Sequence, residues 1–185
     1  MFHQTPSFFA NYFKKFLRQV ITVKTIYLTG FMGSGKSTVG ELLHRKTGAQ
    51  YLDTDQLVVE KYGAIAAIFE NEGENQFRHY ETEVLRDIPE TGYIVSTGGG
   101  IVEREENITL MNKSGLVIYL DTSFEEVARR LGNDTERPLW GKTVLEKKKL
   151  YKRRYEWYTE TADIRISTDG KSPTEITDEI MDYLT

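Results

Sequence analysis

"GFMGSGKST" (residues 30–38) sits between the apolar run "TIYLTG" and the stretch "KSTVGELLHRKTG", which Gly48 closes. Gly30, Gly35, Lys36 and Ser37 satisfy G-x4-G-K-[ST], and a strand before the loop with a helix after it is the context that motif needs. Glycines let successive backbone N–H groups curl round phosphate oxygens with no Cβ in the way, and the helix N-terminus adds partial positive charge. The loop Gly33, Ser34, Gly35, Lys36, Ser37 and Thr38 is therefore expected to hold a nucleoside triphosphate. Lys36 should reach the outer phosphates and the Ser37 hydroxyl should bind Mg²⁺. "NKSG" (112–115) ends in Gly before a strand, so it does not serve as a guanine-reading motif and ATP is the expected nucleotide.

Outward from the loop the chain alternates strands and helices. "AQYLDTD" reads as a second strand, "YIVSTGGG" as a third running into glycines, "GLVIYLDT" as a continuous apolar strand and "IRIS" as a last one. Continuous apolar strands belong to sheets covered on both faces, and strand–helix alternation implies parallel pairing in a doubly wound α/β sheet. "QFRHYETEVLRDI" keeps Phe77, Tyr80, Val84, Leu85 and Ile88 on one helical face. Ser123 with Glu126, and Ser172 with Glu175, read as capping boxes, the second with Pro173 at its first turn.

The 185 residues suffice for one compact domain, residues 24–185. A net charge of −4 argues against nucleic-acid binding through a broad basic face. The chain has no cysteine, which fits a reducing cytoplasm and excludes thiolate metal sites. No apolar run approaches the roughly 20 residues of a membrane span. Residues 1–23 stand apart as an amphipathic extension, with Phe8, Phe9, Tyr12, Phe13, Phe16 and Leu17 at helical spacing around Lys14, Lys15 and Arg18. That segment reads as a membrane-surface or partner-docking helix, as an arm packed on its own domain or a symmetry mate, or as a mistaken start. A monomer is expected, with the arm available for a self-contact.

Several downstream clusters bear on what the nucleotide does. Asp53 and Asp55 flank Thr54 at the end of the second strand, where ligands bind in open parallel sheets. One carboxylate can face metal and phosphates while the other accepts the proton of a substrate hydroxyl; Asp55 as a helix cap is the plainer alternative. Arg78 and Glu81 are neighbours on a helix, which by sequence alone reads as a surface ion pair or as an oriented guanidinium. Gly98, Gly99 and Gly100 end the third strand and allow close ligand approach. "RRLGNDTERPLWGK", with Arg129, Arg130 and Arg137, reads as a mobile lid over about 130–143 that carries cations to phosphates.

Taken in order, "GFMGSGKST", "LDTD", "FRHYE", "STGGG", "ERPLW" and "RYEWY" resemble the shikimate kinases, small P-loop kinases of the aromatic amino-acid (chorismate) pathway; the likeness runs from about Lys24 to Leu184. The resemblance implies a P-loop NTPase-type three-layer α/β/α fold. Its five-stranded parallel sheet has order 2-3-1-4-5, with a lid and a substrate-binding helical insertion at about 55–83. It implies ATP and shikimate as substrates, with Mg²⁺. Asp55 would bind shikimate hydroxyls and act as base, and Asp53 would hold Mg²⁺ through water beside Ser37. Arg78, braced by Glu81, and Arg154 would grip the shikimate carboxylate, and Gly98, Gly99 and Gly100 would line the pocket floor. Arg137 would reach the ATP phosphates, Arg130 would stack on adenine, and the loop before Pro173 would close the base pocket.

The chain departs from the family pattern in two places: the aromatic N-terminal arm has no counterpart there, and the segment before the final strand differs. The family segment before the final strand reads Arg-x-Pro-Leu-Tyr; here Glu156 replaces the Pro, and Arg153–Arg154 leaves the register open by one, Arg154 being the choice four residues before Tyr158. Two other readings stand beside this one: a related small-molecule kinase of the gluconate type, and a degenerate ATP-binding switch or scaffold.

Overall fold

The structure, a computed structural model, describes residues 24–132 and 143–184. The extension 1–23 and most of the expected lid, Arg137 included, lie outside the described residues. Strands β1 (Thr25–Thr29), β2 (Gln50–Asp53), β3 (Tyr93–Ser96), β4 (Gly115–Asp121) and β5 (Ile164–Ser167) form one sheet in the order β2-β3-β1-β4-β5, every pair parallel. The helices are α1 (Lys36–Thr47), α2 (Thr54–Tyr62), α3 (Ile65–Asn71), α4 (Glu74–Arg86), α5 (Glu105–Ser114), α6 (Phe124–Leu131), α7 (Val144–Thr161) and α8 (Pro173–Leu184), with a 3-10 turn at Ile101–Glu103.

Side-chain alternation along the strands builds the two flanking layers. Tyr27 of β1 joins Val95, Val117 and Tyr119 on one face, against Leu85, Met111, Val127 and Tyr158 from α4, α5, α6 and α7. Ile26 and Leu28 join Ile94, Ile118, Leu120 and Ile166 on the other, against Val39 and Leu43 of α1 and Ile176 and Ile180 of α8. Leu28, Leu43 and Ile118 are 0% exposed, so truncating any of them to Ala would cost about 2–5 kcal/mol. The doubly wound α/β sheet read from strand–helix alternation is therefore the observed architecture, in the order the family resemblance implies.

Helices α2, α3 and α4, between β2 and β3, carry a small core of their own from Val58, Ile68, Phe77 and Val84. Helix α4 is shared: Leu85, with Ile88 just past its end, packs under the sheet, while Phe77 and Val84 face α2 and α3. Tyr80 is half-buried and stacks on Tyr62 with centroids 3.8 Å apart. Because α4 is covered from both sides, polar residues on its remaining face can also be interior.

Local chemistry sets the element ends. Strand β2 stops two residues before the "AQYLDTD" reading because Asp53 caps α2: its Oδ1 accepts from the backbone N–H groups of Asp55 (3.0 Å) and Gln56 (3.4 Å). The cap is thus Asp53 rather than Asp55, which is released from that duty. Ser172 and Glu175 form a complete capping box on α8. At α6 only half of the expected box exists: Ser123 accepts from Glu126 N, but the Glu126 carboxylate binds Arg129 and Arg130 instead. Thr143 and Glu146 make a further box on α7 that the sequence reading did not single out.

Candidate active site

Parallel pairing brings the carboxyl ends of the strands to one edge, and β1, from which the glycine loop emerges, lies between β3 and β4. Asp53 of β2 stands in register with Ser96 of β3. A cleft of about 830 Å³ opens there. Its walls include the loop from Gly33 to Thr38, the acidic pair Asp53 and Asp55, then Ser96, Thr97 and Gly99, and also Arg130, Gly170 and Pro173.

The loop adopts the conformation its glycines permit. Gly33 has φ 78° and Gly35 φ 96°, both left-handed, where a side chain would be strained. Gly35 N-caps α1 with no side-chain hydrogen bond, and the first turn carries no acidic residue. The first turn of α1 and its positive end therefore face the cleft, the arrangement that binds phosphate. Lys36 Nζ donates to the carbonyls of Gly30 (2.8 Å) and Phe31 (3.0 Å), so its charge lies across the loop. Ser37 Oγ donates to Asp53 Oδ2 at 3.1 Å and lies 3.3 Å from Ser96 Oγ. Arg130 reaches back to the loop, donating through Nη1 to the carbonyls of Gly33 and Ser34 and through Nη2 to that of Thr168. Glu126 holds its Nε at 2.7 Å.

Beyond the phosphate loop, two carboxylates converge on Gly98. A Cβ there would lie 2.5 Å from both Asp55 Oδ1 and Glu81 Oε1. The backbone of Gly98 is fixed from the other side, its N–H donating to Thr54 Oγ1 at 2.8 Å. Glu81 is 0% exposed. Burial, reinforced by the charge of Asp55 and opposed by Arg78, pushes its carboxyl up to about 7. Arg78, 6% exposed, donates from Nη1 to Glu81 (2.6 Å) and from Nη2 to Glu74 (2.8 Å). Burial alone would lower its pKa, but these carboxylates and Glu103 hold it above the ordinary arginine value. A methyl group on Gly100 would overlap the Arg78 guanidinium. Glu103 lies 3.4 Å from Arg78 Nε and accepts from Arg154 Nε at 2.9 Å.

The chain matches the shikimate kinase family over residues 32–185. It belongs to the shikimate kinase family. It is 46% identical over 161 residues to a shikimate kinase of Persephonella marina, covering 86% of this chain and 98% of that one. A solved shikimate kinase from Acinetobacter baumannii, in complex with shikimate, superposes with TM-score 0.85 at 34% identity, covering 91% of this chain and 96% of that one. The shikimate kinase from Aquifex aeolicus gives TM-score 0.77 at 40% identity over 86% of this chain and 95% of that one. A kinase of this family transfers phosphate, which disfavours the switch or scaffold reading, and the family match disfavours the gluconate-type one.

For this member of the shikimate kinase family, the fold gathers most of the residues singled out in the sequence. Lys36, Ser37, Thr38, Asp53, Asp55, Gly99 and Arg130 line the cleft itself. Arg78, Gly98, Gly100 and Arg154 are not on its wall; they form a buried cluster against it, joined through Gly98 and Glu81. The surface ion pair that Arg78 and Glu81 suggested by spacing is an interior one. Arg154 is 1% exposed on its side chain and Arg153 is 56% exposed, so the inner position falls to Arg154. Thr54, Ser96, Glu74 and Glu103 were not anticipated. Thr54 carried a signal, as the middle letter of "DTD"; Glu103, in "GGGIVEREE", was one acid among several.

Proposed function

We propose that this chain transfers the γ-phosphoryl group of ATP to a hydroxyl of shikimate, giving shikimate 3-phosphate. The observation that carries the reading is Asp55, a carboxylate on the wall of the phosphate cleft, converging on Gly98 with the Glu81 that holds Arg78. A carboxylate-bearing polyol needs these two things: a hydroxyl acceptor near the phosphate and a planar cation for its carboxylate. The family membership and the shikimate-bound relative support the same acceptor.

The roles divide as follows. The loop N–H groups of Gly33 to Thr38 hold the triphosphate, and Lys36 leaves the Gly30 and Phe31 carbonyls for the outer phosphates as they arrive. Ser37 Oγ and the Asp53 carboxylate are hard oxygen donors side by side, a set that suits Mg²⁺. When bound, Mg²⁺ supplies neutralisation of charge on the β- and γ-phosphates. Asp55 orients the attacking hydroxyl and accepts its proton. Arg78 and Arg154 take the carboxylate, and Gly98, Gly99 and Gly100 let the ring approach the backbone. Arg130 stacks on the adenine near Pro173. Arg137 is assigned to the phosphates, as the cation of a lid that keeps water from the reaction. The enzyme acts as a monomer in the cytoplasm in this reading; no described helix is long and apolar enough to cross a membrane.

The test is ADP release with shikimate, gluconate, AMP and no acceptor in parallel. Turnover with shikimate exceeding each of the others by about a hundredfold or more is expected, the scale at which a missing set of hydrogen bonds discriminates. Equal rates with gluconate, or a rate independent of any acceptor, would sink the proposal.

A further inference from the structure

The turn that begins with the three glycines ends at Glu103. Residues 98–103 are tied by Ile101 N to Gly98 O (3.1 Å) and Glu103 N to Gly100 O (2.9 Å), so the same rigid turn that abuts Arg78 also presents Glu103. The Glu103 carboxylate meets three guanidinium groups. Its Oε1 accepts from Arg154 Nε (2.9 Å) and Arg153 Nη2 (2.6 Å), and its Oε2 lies 3.4 Å from Arg78 Nε. Arg78 comes from α4 and the two others from α7, elements on opposite sides of the turn in sequence. Burial would raise the Glu103 pKa, and the surrounding arginines reverse that and hold it below the ordinary carboxylate value.

What Glu103 leaves open matters as much as what it holds. It engages Arg154 by the Nε edge, and Arg154 Nη2 has no hydrogen-bond partner among the described residues although the side chain is 1% exposed. A buried guanidinium N–H without an acceptor is costly, and an arriving carboxylate relieves that cost. Arg154 Nη1 lies toward Gly99, 3.8 Å from where a Cβ on that residue would be, and Gly99 is on the cleft wall.

We propose that Glu103 is the positioning residue for acceptor-carboxylate recognition: it holds Arg154 by a hydrogen bond to Nε, with its other oxygen as a counter-charge beside Arg78, so that Arg154 offers its free N–H edge to the acceptor. The inference rests on the assignment of Arg78 and Arg154 to the acceptor carboxylate. A long arginine without such a brace has many rotamers, and ordering it on binding weakens affinity. The arginines that Glu103 pairs with belong to neither the nucleotide loop nor the metal pair, so its effect is expected on the acceptor and not on the nucleotide.

The experiment is steady-state kinetics of the full chain with shikimate and ATP for the wild type, Glu103→Ala, Glu103→Gln, Arg154→Lys and Glu103→Ala/Arg154→Lys. Glu103→Ala should raise the acceptor KM about tenfold or more and leave the ATP KM within about twofold, the pattern of lost acceptor binding. Glu103→Gln keeps an oxygen for Arg154 Nε and should raise the acceptor KM about threefold, less than Ala does. In the Arg154→Lys background, Glu103→Ala should add less than about twofold, because its effect passes through Arg154. An unchanged acceptor KM in both Glu103 variants, or a parallel rise in both KM values, overturns the inference. Should the Ala variant not fold, the Gln variant decides alone by the same criterion. If Arg154→Lys leaves the acceptor KM unchanged, the carboxylate assignment itself fails; if it raises that KM while the Glu103 variants do not, only the inference about Glu103 fails.

Discussion

The guanidinium of Arg78 occupies the space where a side chain on Gly100 would begin: a Cβ there would overlap Nη1, Cζ and Nη2 at once. Gly100 has φ −107°, which any residue adopts, so the requirement for glycine is spatial and not conformational. Arg78 cannot yield cheaply, since Glu74 and Glu81 hold both its terminal nitrogens. Gly100→Ala should therefore cost about 1–3 kcal/mol of stability through overpacking. It should also raise the acceptor KM by displacing Arg78, with ATP binding unchanged. Urea unfolding and acceptor kinetics check both; a variant as stable and as active as the wild type would refute this account of the triglycine.

Glu81 makes a pH dependence that can be read from stability. Its carboxyl titrates near 7 in the folded protein, against about 4.5 in an open chain, with burial as the main cause. The folded state thus binds a proton that the unfolded chain releases between those values. Stability from this group is fully present below about pH 4.5 and falls as pH rises to about 7. Over that window the wild type should lose on the order of 2–3 kcal/mol relative to Glu81→Gln, which has nothing to titrate there. Unfolding free energies measured at several pH values for both proteins test it, and parallel curves would contradict it.

Thr54 should matter to stability more than its place between two aspartates suggests. It is 0% exposed and its Oγ1 accepts the N–H of Gly98 at 2.8 Å. Thr54→Val keeps the shape and removes the acceptor, leaving a buried N–H unsatisfied at about 1–3 kcal/mol. A denaturation midpoint within error of the wild type would show that the turn does not depend on this bond.

Asp55→Asn separates binding from chemistry. Asparagine is nearly isosteric but takes no proton, so kcat should fall about 10²–10⁴-fold. Asp55 is not the cap of α2, so the fold and the ADP affinity should stay within about twofold of the wild type. Isothermal titration with ADP and single-turnover rates with shikimate provide the comparison; retained turnover would remove Asp55 from the role of base.

Much of this was legible in the sequence because it depends on short-range pattern. The glycine loop between "TIYLTG" and "KSTVG", the buried run "GLVIYLD" and the Ser172–Glu175 box each depend on residues a few positions apart. What a local pattern could not decide was burial. Arg78 and Glu81 at i and i+3 look the same on a solvated helix as on one covered by two neighbouring cores. Likewise spacing to Tyr158 favoured Arg154 over its neighbour Arg153, but only the docking of α7 shows which of the two is turned inward.

By itself, the sequence determined the parallel α/β sheet and the phosphate loop at its carboxyl edge, because alternation, glycine placement and helix starts are set by neighbouring residues. Only the tertiary structure decided that Glu103 would meet Arg78 and Arg154, and that Asp55 and Glu81 would share Gly98. Those pairings join residues up to 51 positions apart, and their energetics follow from exclusion of water, a property of the packed whole that no single segment carries.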